Sequence, residues 1–171
     1  MNNNSKRRSI CRLCKSSNIV SVLKLASTPP ANAFVPKDKL LIEQKKYPLE
    51  LFFCNKCFHV QLTEVVDPKE LFEDYVYVSG TSQVFIDHFY NYAKQIVNKY
   101  KPSLDNYVLD IGSNDGTFLK FFKEMGYTTL GVDPAKEISQ KACEEGINTI
   151  NDFFNLETSS KIKKKYGQAS L

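Results

Sequence analysis

The sequence predicts an α/β protein: a small cysteine-bearing module, then a helix, then a parallel sheet wound with crossover helices. Three observations predict it. Two C-x-x-C pairs, Cys11-Arg-Leu-Cys14 and Cys54-Asn-Lys-Cys57, sit among short strand-like segments. From Asn106 onward, apolar runs alternate with helical segments of about ten residues, the pattern of a parallel sheet with crossovers. Within that part, the stretch from Val108 to Leu119 passes from strand to glycine turn to helix.

In chain order, residues 1–9 read as a disordered leader. Val20 to Leu25 is strand-like, and Ser27 to Pro36 is a proline-punctuated loop in which Pro30 forces Pro29 extended. Tyr47 to Phe53 and Phe58 to Leu62 form a hairpin with cysteines at its tip, which closes a first domain over residues 10–66. Asp67 is placed to cap a short helix with Pro68 at its first position. The tyrosine-rich Tyr75-Val-Tyr77 segment follows. Phe85, Phe89, Tyr92, Ile96 and Tyr100 then recur at helical spacing from Gln83 to Tyr100, with Ser82 as cap. Residues 67–104 thus read as a connector between two parts.

The second domain, residues 105–171, is predicted as strand Tyr107 to Ile111, helix Thr117 to Met125, strand Thr128 to Val132, helix Ala135 to Glu145, a short strand over 147–150, and helix Leu156 to Tyr166. Gly126, Gly146 and Gly167 supply the stops. Ala169-Ser-Leu171 reads as the start of a further strand. Because the first strand of such a sheet is normally flanked by the fourth, an exposed apolar edge is expected at Tyr107 to Ile111.

Composition excludes several classes. No window approaches the ~18 consecutive apolar residues of a membrane span, and the polar start has no signal-peptide core, so the expected compartment is the cytoplasm. The net charge is +4, but Lys6, Arg7, Arg8, Lys161, Lys163, Lys164 and Lys165 account for seven of the 23 basic residues. The remaining 16 face 19 acids, so basicity sits at two ends and reads as solvation of a tail and a helix surface.

The paired cysteines point to zinc. Reduced thiols in two C-x-x-C turns can present four thiolates tetrahedrally, so Cys11, Cys14, Cys54 and Cys57 are the expected ligands of a structural Zn²⁺. His59 is a nearby substitute, and Cys143 reads as a packed residue.

Gly112 lets the backbone approach a ligand, and Gly116 opens the following helix with its amides free. A dinucleotide fingerprint would need glycine also where Asn114 and Thr117 stand, and Asp110 and Asp115 disfavour a pyrophosphate. A cationic ligand fits better, and S-adenosylmethionine carries a sulfonium and an ammonium. The expected cofactor set is Asp110, Gly112, Ser113, Asn114 and Gly116, with Asp133, 21 positions beyond Gly112, accepting from ribose hydroxyls. After the third strand, Asp152 is placed to accept from the adenine amino group and Phe153 to cover the ring. Asp133 before Pro134 also reads as a plain helix cap.

Taken together, Cys11-Arg-Leu-Cys14, Thr28-Pro-Pro-Ala-Asn-Ala-Phe34, Cys54-Asn-Lys-Cys57, Asp74-Tyr-Val-Tyr-Val-Ser-Gly-Thr-Ser82 and Asp110-Ile-Gly-Ser-Asn-Asp-Gly116 resemble the amino-terminal part of the sugar C-methyltransferases of deoxysugar pathways. The resemblance implies a zinc-ribbon-like domain joined by a helix to an incomplete Rossmann-like (class I methyltransferase) sheet. It implies S-adenosylmethionine as methyl donor and a nucleotide-linked keto-deoxysugar as partner, deprotonated beside its ketone and methylated on carbon. It places Tyr77, with Tyr75 in reserve, in the active-site tyrosine region; alternation puts both on one side of an extended segment. Family members are more than twice as long, and the resemblance implies that most catalytic groups follow the stretch matched here, so the chain reads as a fragment inactive alone. A zinc-ribbon interaction or nucleic-acid module with a non-catalytic α/β scaffold is the alternative.

Overall fold

The computed structural model describes residues 4–171; the first three positions of the expected leader lie outside the described residues. Two compact units divide between Leu71 and Phe72.

The first unit contains strands β1 (Ser5–Arg7), β2 (Ile19–Thr28), β3 (Tyr47–Cys54), β4 (Val60–Leu62) and β5 (Glu64–Val66), and the chain then enters a short helix, α1 (Pro68–Phe72). β2, β3 and β4 form an antiparallel meander, with Ile19 opposite Cys54 and Phe53 opposite Val60. Part of the expected leader is therefore a strand, because β1 pairs antiparallel with β5, Ser5 opposite Val66. Side-chain hydrogen bonds from Asn4 to Glu70 and from Ser5 to Glu64 hold it there. Arg7, read from sequence as a tail charge, pairs with Glu50 at 3.1 Å and lies over the Phe52 ring. Among the described residues of this unit the buried side chains are Cys11, Cys54, Gln61 and Thr63. A unit that buries so little hydrocarbon needs another source of stability.

The second unit runs through a 3-10 turn at Ser79–Thr81, then α2 (Gln83–Tyr100), β6 (Tyr107–Ile111), α3 (Thr117–Glu124), β7 (Thr128–Val132), α4 (Lys136–Glu144), β8 (Thr149–Ile150) and α5 (Leu156–Tyr166). The sheet is parallel in the order β6-β7-β8, with Tyr107 opposite Thr128 and Gly131 opposite Thr149. Alternation along β6 sends Val108 and Tyr107 to opposite faces. Val108 joins Ala93, Leu119, Phe122, Ala142 and Ile147, and Tyr107 joins Leu130, Val132 and Ile162. Full burial of side chains such as Phe122, Leu119 and Leu130 contributes about 1.5–3 kcal/mol each.

Two expectations change here. The helix read as a connector belongs to this unit: Ala93 of α2 is fully buried in the first core cluster, Ile96 and Val97 pack against it, and Tyr92 stacks on Phe118 at 5.6 Å. The edge of β6 is also partly covered. α5 crosses the face opposite α3 and α4, and returns the chain beside β6, where Ser170 N–H donates to the Tyr107 carbonyl at 2.9 Å and Leu109 N–H to the Leu171 carbonyl at 3.0 Å. Tyr107 is consequently buried, while Ile111 at the far end of the strand remains exposed. This change of winding direction next to β6 makes a topological switch point, and ligands of open α/β sheets bind at the strand carboxyl ends beside it.

Candidate functional site

In the first unit, the four cysteine sulfurs lie within 4.8 Å of one another. Cys11 Sγ is 3.7 Å from Cys57 Sγ, and Cys14 Sγ is 3.6 Å from Cys54 Sγ. A disulfide needs about 2.05 Å. Four sulfurs at about 2.3 Å around a tetrahedral zinc stand about 3.8 Å apart, which these separations match. His59 is outside the group.

Both pairs arrive by the same backbone device. Lys15 N–H donates to the Cys11 carbonyl and Phe58 N–H to the Cys54 carbonyl. Cys11 N–H donates to Ser16 O, and Cys54 N–H to His59 O. Lys15 and Phe58 both take left-handed φ, 62° and 63°. Each C-x-x-C is thus one knuckle, repeated. The left-handed Phe58 also explains why β4 begins at Val60 rather than Phe58. The Cys14 amide draws the Cys11 thiol down to about 6. At Cys57 the His59 amide pulls the other way from burial and the three neighbouring sulfurs, which together push its thiol up to about 12. Without a cation the sulfurs resist ionising together; a divalent ion removes that conflict.

In the second unit, the expected cofactor residues gather at the carboxyl ends of β6, β7 and β8. The turn after β6 folds back over the sheet: Gly112 N–H and Ser113 N–H both donate to the Val132 carbonyl, at 2.8 and 3.3 Å. Gly112, at φ 79° with open space where a Cβ would stand, keeps the approach clear. Gly116, at φ 75°, has Ile147 within 2.8 Å of that position, so its small size lets α3 start against the core. Gly131 has the same importance in β7, since a Cβ there would meet Ser113 Oγ at 2.4 Å and Thr149 Oγ1 at 2.8 Å. Ser113 is 4% exposed, and its hydroxyl has no partner among the described residues.

Asp133 is 7% exposed, and both carboxylate oxygens are engaged: Oδ2 accepts Asn114 N–H and Oδ1 accepts Ala135 N–H, each at 2.9 Å. The helix-cap expectation is not met: the N-cap of α4 is Ala135, with no side-chain cap bond, and Asp133 instead closes the turn ahead of that helix and braces the glycine turn. Asp110 is different. It is half-buried and its carboxylate makes no hydrogen bond among the described residues, and burial, then the Asp133 charge, raises its pKa. Two carboxylates at the mouth of a sheet, one of them unpaired, form a site that a cation would neutralise. Asp152 accepts from Thr158 Oγ1 at 2.9 Å and from Phe153 N–H at 2.8 Å, which ties the end of β8 to the start of α5. Asn155 caps that helix by accepting from Glu157 N–H and Thr158 N–H.

The tyrosine segment docks directly on the turn. Tyr75 and Tyr77 lie on one side with ring centroids 6.4 Å apart, and Tyr77 is 43% exposed, so it is no core aromatic. Asn114, expected to face a cofactor, turns its side chain toward this segment: Nδ2 donates to the Tyr77 carbonyl at 2.8 Å, and Oδ1 accepts Ser79 N–H at 2.9 Å. Asp115 accepts Gly80 N–H at 2.9 Å. From sequence Asp115 reads only as a charge that disfavours a pyrophosphate, and the close packing at Gly80 and Gly131 has no sequence signal. For Asn114 and Asp115 the signal is the Asn-Asp-Gly run itself, made of residues that bond backbone amides and tolerate left-handed turns; Asn114 sits at φ 51°.

Four converging thiolates ahead of a glycine turn at the switch point of a parallel sheet define a zinc-binding module followed by a Rossmann-like domain. Over residues 11–72 the chain matches the zinc binding domain family named Methyltransf_13. The C-methyltransferase NovU of Streptomyces niveus is 29% identical over 161 residues, covering 94% of this chain. The chain is similar to this C-methyltransferase and spans 38% of that relative's length. No helix among the described residues is long and apolar enough to cross a membrane.

Proposed function

We propose that the chain is the zinc-bearing part of an S-adenosylmethionine-dependent C-methyltransferase that acts on a nucleotide-linked keto-deoxysugar. The observation that carries this reading is the convergence of Asp110, Gly112, Asp133 and Asp152 at three successive strand ends. S-adenosylmethionine, when bound, supplies an electrophilic methyl group and two positive charges.

The protein's own groups divide the remaining work. Asp110 meets the cationic part of the ligand, Gly112 and Gly116 let the backbone close on it, and Asp133 holds the turn while offering its remaining lone pairs to ribose hydroxyls. Asp152 and Phe153 border the adenine. Tyr77 presents a phenol that can donate to the oxygen of a developing enolate or exchange a proton beside it. Cys11, Cys14, Cys54 and Cys57 would hold a zinc ion through four sulfurs, which would staple the first unit and leave the reaction to the second.

By itself the chain is expected to bind S-adenosylmethionine weakly and to turn over no sugar, since it carries three of the sheet's strands among its described residues and spans 38% of its relative. Titration calorimetry with S-adenosylmethionine, on this chain and on one extended to the relative's full length, tests this. Equal tight binding by both contradicts the weak-binding expectation. Absence of binding by both removes the cofactor assignment.

A further inference from the structure

We propose that Asn114 and Asp115 are positioning residues that clamp the tyrosine segment to the glycine turn, so that filling the turn and placing Tyr77 are one event. The proposal rests on the functional reading above and concerns residues that reading leaves without a role.

Three side-chain hydrogen bonds, all at 2.8–2.9 Å, run from two adjacent turn residues to the backbone of Tyr77, Ser79 and Gly80. They reach across 35 to 37 positions of sequence, so no local turn requires them. Asn114 makes two of them and spends both ends of its amide on the segment, donor on one side and acceptor on the other. Asp115 divides its oxygens between the segment and its own helix: Oδ2 takes Gly80 N–H while Oδ1 takes Thr117 N–H at 3.1 Å. The contact is close enough to dictate residue type on the other side. A Cβ on Gly80 would stand 2.7 Å from Thr117 Oγ1 and 2.8 Å from Asp115 Oδ2.

The same turn is anchored to the end of β7 by Gly112 N–H and Ser113 N–H on the Val132 carbonyl and by Asn114 N–H on Asp133, the carboxylate placed for the ribose. Asn114 therefore has its main chain on the cofactor side and its side chain on the tyrosine side. A ligand that stiffens the turn must also stiffen Tyr77, because the two share Asn114; by linkage, whatever orders the tyrosine segment favours the ligand equally. This gives a physical reason for asparagine and aspartate where a dinucleotide turn has glycine and small residues: those side chains recruit a second loop.

Asn114→Gly is the decisive variant, because glycine accepts the left-handed backbone and keeps the N–H to Asp133 while deleting the two Asn114 bonds of the clamp and leaving that of Asp115. Amide hydrogen exchange followed by NMR on the full chain reads the segment residue by residue. Without ligand, Asn114→Gly and Asp115→Asn should each raise exchange at Ser79 and Gly80 about tenfold, with β6 and β7 amides unchanged. Unchanged exchange at Ser79 and Gly80 in both variants overturns the clamp whether or not any cofactor binds. With saturating S-adenosylmethionine, wild type should show slowed exchange at Ser79 and Gly80, and Asn114→Gly should bind yet lose that slowing. If calorimetry shows binding to wild type while the exchange of the segment stays as it was, the coupling is wrong although the cofactor assignment stands.

Discussion

The carboxylate of Asp133 accepts the main-chain amide of Asn114 at 2.9 Å, tying the end of β7 to the turn after β6. With Ala135 N–H on its other oxygen, this buried side chain is a strut as well as a candidate ligand group. Asp133→Ala leaves two amides without acceptors and should lower stability by about 2 kcal/mol or more. Asp133→Asn, which keeps one acceptor oxygen, should lose less. Urea unfolding of the three proteins measures this, and equal midpoints would show that the strut contributes nothing.

Charge at the mouth of the sheet has a pH consequence. Burial, followed by repulsion from Asp133, raises the Asp110 pKa above its ordinary 3.8. In the window between that value and the raised one, the folded state holds a proton that the unfolded state has released, so stability falls as pH rises through it. A bound cation favours the ionised carboxylate and should expel that proton. S-adenosylmethionine binding should therefore release protons at acidic pH and tighten as pH rises through the window. Calorimetry in two buffers of different ionisation enthalpy gives the count, and zero protons released at acidic pH would remove Asp110 from the cation's surroundings.

Zinc should be as necessary to the first unit as a core is to other folds. One ion per chain is expected by metal analysis, and structural zinc sites of this kind contribute on the order of 10–16 kcal/mol of apparent binding energy. A strong chelator, or Cys54→Ser, should collapse the dispersed NMR signals of β2, β3 and β4 while those of β6 and β7 persist. Retention of the meander without metal would refute the staple.

Close packing at Gly131 should be unforgiving. Alanine there puts a methyl 2.4 Å from Ser113 Oγ, so Gly131→Ala is expected to cost about 1–3 kcal/mol through displacement of the turn. A melting temperature equal to wild type would mean that Ser113 swings away freely.

Tyr77→Phe removes one hydroxyl and no packing surface that the segment uses. The clamp bonds the main chain of Tyr77, so the variant should keep its stability and its S-adenosylmethionine affinity. If the proposed function holds, a chain extended to the relative's full length should lose most methyl transfer with Tyr77→Phe and less with Tyr75→Phe. Equal loss in both would move the assignment away from Tyr77.

Sequence disclosed the sheet unit with good accuracy for a physical reason. β6, β7 and α5 have the predicted limits, Tyr107–Ile111, Thr128–Val132 and Leu156–Tyr166, because apolar runs bounded by glycine are local signals. The grouping of the four cysteines was equally legible, since metal chemistry dictates both type and spacing. β1 was not. Ser5-Lys-Arg7 has no apolar pattern, and it is ordered by backbone pairing with residues some 60 positions away. The stripe on α2 showed that the helix has a buried face without showing whose core receives it, and Phe118 and Phe121 supply that answer. The clamp was illegible for a third reason: bonds between a side chain and a distant main chain impose no periodicity on either partner.

The repeated knuckles clip β2 and β3 together where Ile19 faces Cys54, which leaves the other end of that ladder, where Thr28 faces Tyr47, as the unclipped end. Residues 29–46 hang from it. Doubling the length of such a loop costs only about 0.6 kcal/mol in closure entropy. A chain carrying this module can thus take up extra residues in that loop beyond Phe34, outside the stretch that carries the resemblance, while the metal keeps its base in register.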